Sequence, residues 1–168
     1  MMVRLVRSFF FGRWLRVQGG DVSLIPLLIL LAVALAISYF GREKAKVTPL
    51  PGPISFAECG NGLRMNCVVD GDTIWATGEK IRLADIDAPE VFSPECDWER
   101  VLGERATHRL TELLNEGEVA LQTSSSRDRD KYGRLLRVAT VNGRSVGDRL
   151  VDEGLAHRWG QHQRGWCS

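Results

Sequence analysis

Val68-Val69-Asp70-Gly71-Asp72-Thr73-Ile74 is answered a few residues later by Arg82-Leu83-Ala84-Asp85-Ile86-Asp87-Ala88-Pro89-Glu90. The first stretch passes from apolar residues to Asp-Gly-Asp and back, the pattern of two short strands joined through a tight acidic turn. The second sets Ile81 and Leu83 against Arg82 and Ala84, the period-two alternation of a strand with one buried face. It ends in a carboxylate, a proline and a second carboxylate. Paired as a hairpin around Gly78, the two stretches place Asp72 and Asp87 at one end. Two carboxylates held together repel, and burying them unpaired is costly, so the pair invites a divalent cation. Hard oxygen donors suit Ca²⁺ or Mg²⁺ rather than zinc. On its own, Asp-Gly-Asp also reads as a solvated turn.

A third stretch, Asp130-Lys131-Tyr132-Gly133-Arg134-Leu135, opens another strand with an arginine at its start. Together the three resemble the staphylococcal (micrococcal) nuclease family, the thermonuclease-like domain, in residue type, order and approximate spacing. The resemblance spans residues 66–158, well over half the chain.

The chain has 168 residues, room for one domain and appendages. Its 22 Lys and Arg against 21 Asp and Glu are unevenly divided: four arginines and one aspartate precede Gly41, leaving 18 against 20 after it. Bulk charge therefore does not mark a nucleic-acid binder. Locally, residues 127–137 hold five basic side chains and two acidic ones, a run that by itself reads as a solvated loop.

Residues 22–40 are 19 positions without a charged side chain. As a helix rising 1.5 Å per residue, that length just crosses a hydrocarbon core of about 30 Å. No small-x-small cleavage site follows, which favours an uncleaved signal anchor over a signal peptide. Arg4, Arg7, Arg13 and Arg16 precede it, against Arg42, Lys44 and Lys46 after it, a narrow preference for a cytoplasmic N terminus. All four cysteines, Cys59, Cys67, Cys96 and Cys167, follow the anchor. Four cysteines allow three pairings. Cys59 with Cys67, closing a short loop, and Cys96 with Cys167, pinning the C terminus, is favoured, and disulfides place the domain in a periplasmic or extracellular setting. Zinc ligation is the other reading, but no Cys-x-x-Cys pair occurs.

The expected organisation is a basic cytoplasmic leader (1–21), a transmembrane anchor in the bacterial inner membrane (22–40), a Pro-containing linker (41–53) and a domain over 54–168. Strands are expected near 66–69, 73–77, 80–86, 118–123 and 134–141. Helical spacing of Leu102, Ala106, Leu110 and Leu113 predicts a helix over 99–115. Ser145-Val146-Gly147-Asp148 opens a second, stopped by Gly154. The order alone suits several α+β folds; the resemblance implies a five-stranded OB-fold barrel with two main helices. Members of the family often carry a further C-terminal helix; with about a dozen residues after Ala156, that helix is expected to be absent.

The resemblance also implies roles. Asp72 and Asp87 match the family's calcium carboxylates, with Ala88 at a main-chain carbonyl position, and Asp70 is a neighbouring acid that is equally a turn residue. Glu90 matches the candidate general base, and Arg82 and Arg134 the two arginines that grip the phosphate and its developing charge, work that suits the planar guanidinium. Lys131 and Tyr132 match contacts to a terminal phosphate. The family's base-packing tyrosines have no counterpart. Trp159 lies in that region, as a stacking platform or as core. His108, His157 and His162 form no set.

The implied activity is Ca²⁺-dependent hydrolysis of single-stranded DNA and RNA, leaving 3′-phosphate ends, with no protein partner. The rival reading is a catalytically silent OB-fold module that binds nucleic acid or protein, which loss of the acids or arginines would signal.

Overall fold

The computed structural model describes residues 25–40, 45–124, 127–161 and 165–167. The leader at 1–21, the opening of the anchor at 22–24, residues 41–44 of the linker, 125–126 and His162 lie outside the described residues. Residues 1–43 and 44–168 form two units.

In the first unit, α1 (Ile25–Phe40) is a helix of 16 residues. That length spans about 24 Å, less than a hydrocarbon core of about 30 Å. Among the described residues no helix is long and apolar enough to cross a membrane.

The second unit is mixed α+β. Two short strands, β1 (Val47–Pro49) and β2 (Ala57–Glu58), precede β3 (Cys67–Asp70), β4 (Thr73–Ala76), β5 (Glu79–Leu83) and β6 (Ile86–Asp87). Then come α2 (Asp97–Leu114), β7 (Val119–Thr123), β8 (Leu135–Val141), β9 (Arg144–Ser145), α3 (Val146–Asp152) and β10 (His157–Arg158). The expected strands near 66–69, 73–77, 118–123 and 134–141 are present as β3, β4, β7 and β8. The strand expected over 80–86 is broken into β5 and β6. Arg82 explains the break: its guanidinium donates to the carbonyls of Leu83 at 3.1 Å and Ile86 at 3.2 Å, bracing a bend at Ala84 and Asp85 that a straight strand would not make.

The main sheet has eight strands rather than five, in the order β1-β7-β8-β5-β4-β3-β2, with β9 on β8. The additional strands are two or three residues long, too short to show an alternating pattern. β1 lies within the stretch expected as linker, where Thr48 pairs with Leu121. A separate two-stranded sheet joins β6 to β10, opposing Asp87 to His157.

β4 and β5 form the expected hairpin. Its two turn residues, Thr77 and Gly78, have φ of 52° and 82°, the left-handed pair that matches strand twist. β5 then pairs in parallel with β8, Arg82 opposite Leu136, a link made only after the chain has passed through α2 and β7. The arrangement is that of a mixed, OB-like sheet.

The core fills the space between sheet and helices. Val68, Ile74, Ile81 and Leu83 from the strands meet Leu110, Leu113 and Leu114 of α2 and Val146 and Leu150 of α3, all fully buried. Gly71, in the acidic turn, sits beneath α2: a Cβ there would lie 2.6 Å from the Ala88 methyl and 2.7 Å from that of Ala106. The residue between the two aspartates is therefore glycine by packing, and α2 presses directly on the turn that carries them.

Both favoured disulfides are present, Cys59–Cys67 and Cys96–Cys167. Beyond β10 no helix occurs among the described residues. The C-terminal segment is held by the second disulfide and by Trp166, which stacks on the His157 ring at 3.9 Å.

Candidate active site

The β3–β4 turn and β6 converge on Arg82. From the penultimate position of β5 its guanidinium pairs with Asp72 Oδ2 at 2.5 Å and with Asp87 Oδ1 at 3.1 Å. Asp72 ends the turn after β3, and Asp87 ends β6. The two carboxylates expected at one end of the hairpin thus share a single cation, here the guanidinium. Asp72 is nearly buried, at 9% exposure. Its Oδ2 also accepts the N–H of Ala88, and its Oδ1 accepts the hydroxyl of Thr73, both at 3.1 Å. Burial pushes the Asp72 carboxyl up to about 7, with nearby Asp70 adding to the rise and Arg82, Ala88 and Thr73 opposing it.

Asp70 accepts the N–H of Asp72 at 3.2 Å, an Asx turn that shapes the loop. It therefore does the work of a turn residue while adding charge to the site. Glu90, two residues after Ala88, is exposed. Burial of part of its carboxyl raises its pKa, and Asp70, Asp87 and Glu99 reinforce this against Arg82. Asp70, Asp72, Asp87 and Glu90 thus form one acidic group with Arg82 at its centre.

Arg134, Lys131 and Tyr132 form a second group at the turn leading into β8. Arg134 Nε donates to Asp130 Oδ2 at 2.6 Å, and its guanidinium lies 5.5 Å from the Tyr132 ring centre. Lys131 Nζ approaches the same ring at 4.9 Å. Partial burial of Asp130 is outweighed by the bonds from Arg134 and the Tyr132 amide, so its carboxyl titrates below its ordinary value. No contact described in the structure joins this group to Asp72 or Arg82. What relates them is the parallel β5–β8 ladder, which sets Ile81 opposite Leu135, next to Arg134.

Trp159 lies between the two readings the sequence allowed. Its main-chain N–H donates to the Asp85 carbonyl at 2.9 Å, yet the residue is 61% exposed, so it is not core. Its ring lies 5.3 Å from the Arg82 guanidinium. Together with Leu83, Ala84, Ser124, Arg127 and Leu136 these two residues line an open cavity of about 320 Å³.

A different group could be mistaken for a metal centre. Glu95, Glu99 and Cys167 bring ligand-type atoms within 4.8 Å of one another. The Cys167 sulfur is bonded to Cys96, so it offers no thiolate. The two Glu99 oxygens accept main-chain amides of Glu90 and Glu95. Glu99 was not singled out as a site residue in the sequence, although a glutamate three positions after a helix-capping residue carries a recognisable spacing.

A family model described as "Staphylococcal nuclease homologue" matches residues 80–165. The chain belongs to this family. The match includes Arg82, Asp87, Glu90 and Arg134 and begins after the Asp70–Asp72 turn. Curated relatives of similar sequence include the SPbeta prophage-derived endonuclease YokF of Bacillus subtilis (strain 168), 42% identical over 92 residues, 52% of this chain and 31% of that protein. Endonuclease YncB of the same organism is 41% identical over 92 residues, 52% of this chain and 43% of the relative. Protein ParB of Escherichia coli is 32% identical over 110 residues, 58% of this chain and 56% of the relative. The nuclease-family region here thus spans less than half of either Bacillus endonuclease.

Proposed function

We propose that the chain is a Ca²⁺-dependent nuclease that hydrolyses single-stranded DNA and RNA, and that Asp72, Arg82, Asp87, Glu90 and Arg134 carry the reaction. The observation that supports it most is the convergence of two acids from separate elements on one cation beside an exposed glutamate. The donors fit calcium: the Asp72 and Asp87 carboxylates and the Ala88 carbonyl offer only hard oxygen, and the acids already accommodate a positive charge between them. When bound, the ion supplies charge neutralisation at a phosphate oxygen.

The remaining work belongs to side chains. Glu90 orients a water and accepts its proton as the water oxygen bonds to phosphorus. The bond from phosphorus to the 5′-oxygen breaks and the departing oxygen takes up a proton from solvent, giving a 3′-phosphate and a 5′-hydroxyl. A carboxyl raised by its surroundings is the stronger base for this step. Arg82 and Arg134 stabilise the charge that grows on the phosphoryl oxygens, through bonds that need the guanidinium fork. Trp159, exposed beside Arg82, offers a base a stacking face, and Lys131 and Tyr132 meet a neighbouring phosphate. Stacking and phosphate contacts do not read base edges, so DNA and RNA are both substrates.

We place the domain outside the cytoplasm, tethered to the inner membrane through the apolar stretch that contains α1, with the N terminus inside. Its two disulfides support an oxidising setting.

The test is end-group analysis of 5′-labelled single-stranded DNA and RNA cut by the full chain, with Ca²⁺ titrated at pH 6 and pH 8. Both substrates should yield 3′-phosphate fragments. Because a proton on Asp72 competes with the ion, and burial pushes its carboxyl up to about 7, half-maximal activity should need more Ca²⁺ at pH 6 than at pH 8, by about tenfold over the interval for one displaced proton. Binding of DNA without cleavage would instead identify the silent module.

A further inference from the structure

The N-terminal turn of α2 is built around one buried acid. Cys96 caps the helix, its sulfur accepting the Glu99 N–H, and Glu99 is the third helical residue. A carboxylate at that position reaches back toward unpaired N–H groups and is favoured by the helix dipole. Here it reaches past the cap. Glu99 Oε2 accepts the N–H of Glu95 at 2.6 Å, and Oε1 accepts that of Glu90 at 3.3 Å. One carboxylate therefore ties both ends of the 90–95 loop, an oxygen to each.

Burial makes the tie demanding. Glu99 is 5% exposed, and its described hydrogen-bond partners are those two amides; the Cys167 sulfur, 4.0 Å from Oε2, is in the disulfide and has no hydrogen to donate. A buried carboxylate with no cation among its described partners depends on such amides. One helical turn along lies Gly103, against which the same loop rests. A Cβ at Gly103 would come 2.7 Å from the Pro89 carbonyl oxygen, 2.9 Å from Val91 Cγ2 and 3.1 Å from the Glu90 carbonyl oxygen. The Glu90 main chain is thus tied at its N–H by Glu99 and seated at its carbonyl on Gly103. Both residues face it from one side of α2.

We propose that Glu99 is a positioning residue for Glu90: its buried carboxylate, with Gly103 beside it, fixes the main chain from which the Glu90 side chain meets Asp70, Arg82 and Asp87. This rests on the reading of Glu90 as the general base. Glu99→Gln keeps the size and one acceptor oxygen but turns an N–H₂ donor toward one of the two amides.

The experiment uses the full, oxidised chain and has two arms. Amide exchange followed by NMR should show Glu90 and Glu95 at least about tenfold faster in Glu99→Gln, with the α2 interior from Ala106 to Leu113 unchanged. In turnover of single-stranded DNA, the same variant should lose at least about tenfold in kcat with KM within about twofold, and should cause no further loss in a Glu90→Gln background. Gly103→Ala, which displaces the same loop without touching the carboxylate, should reproduce the kcat loss. Unchanged exchange at Glu90 and Glu95 would overturn the proposal, as would an equal loss in both backgrounds, which marks general destabilisation. A chain that never cleaves DNA while the exchange response appears would defeat the nuclease reading and leave the tie itself supported.

Discussion

Glu90→Gln in the full chain should lower kcat on single-stranded DNA by about 10²–10⁴-fold, the usual contribution of a positioned base. KM should stay nearly constant, because glutamine fills the same space and nothing in the structure makes Glu90 a substrate anchor. Partial burial raises the affinity of its carboxyl for a proton, and the charges of Asp70, Asp87 and Glu99 add to this against that of Arg82. The amide cannot accept a proton from water, so the loss falls on the chemical step. Arg134→Ala tests the other side of the reaction and should cost about 10²–10³-fold, as removal of a charge-stabilising donor does. Steady-state kinetics on both variants, beside unfolding curves to confirm that they fold, decides the matter. A Glu90→Gln enzyme within threefold of the unmodified chain would remove this residue from the mechanism.

Replacing Cys96 and Cys167 together by alanine should destabilise the domain by about 4 kcal/mol, from the loop entropy that a bridge over this separation removes from the unfolded chain. The bridge joins residues 71 apart, against 8 for Cys59–Cys67, whose removal should cost only about 2.5 kcal/mol. Against a total stability of about 5–15 kcal/mol the first loss is severe. It also removes the cap of α2 and releases the segment that stacks Trp166 on His157, the residue opposite Asp87 in the β6–β10 pair. Equilibrium denaturation of the two double variants should therefore rank them clearly, with the Cys96/Cys167 variant weaker. Equal midpoints would mean that the C-terminal segment contributes little to the fold.

Much of this was legible in the sequence because β5, the strand that carries Arg82, is long enough to alternate. Ile81 and Leu83 are buried where the pattern places them, and the Asp72 and Asp87 carboxylates meet at one end of the hairpin. Of the three pairings four cysteines allow, the one favoured from position is the one formed. The break between β5 and β6 was not legible, because it depends on the Arg82 guanidinium bonding to the Leu83 and Ile86 carbonyls, a side-chain contact with no periodic signature. β1 was hidden by its length and its proline, which an edge strand tolerates. Glu99 resembled any helix-start glutamate until the 90–95 loop was seen folded back on it. Trp159 could not be assigned before its exposure beside Arg82 was known. The extent of the apolar segment was plain from composition, whereas its relation to a membrane is a matter for cell fractionation.

The most direct test of the account is cleavage of single-stranded DNA as a function of Ca²⁺, comparing the unmodified chain with Asp87→Asn. The unmodified chain should be silent in chelator and activated by Ca²⁺, and the variant should need at least about tenfold more ion or lose activity altogether, since it has lost one of two anionic donors. Cleavage that survives chelation, or identical calcium curves for the two proteins, would contradict the assignment of Asp72 and Asp87 as the seat of the cation.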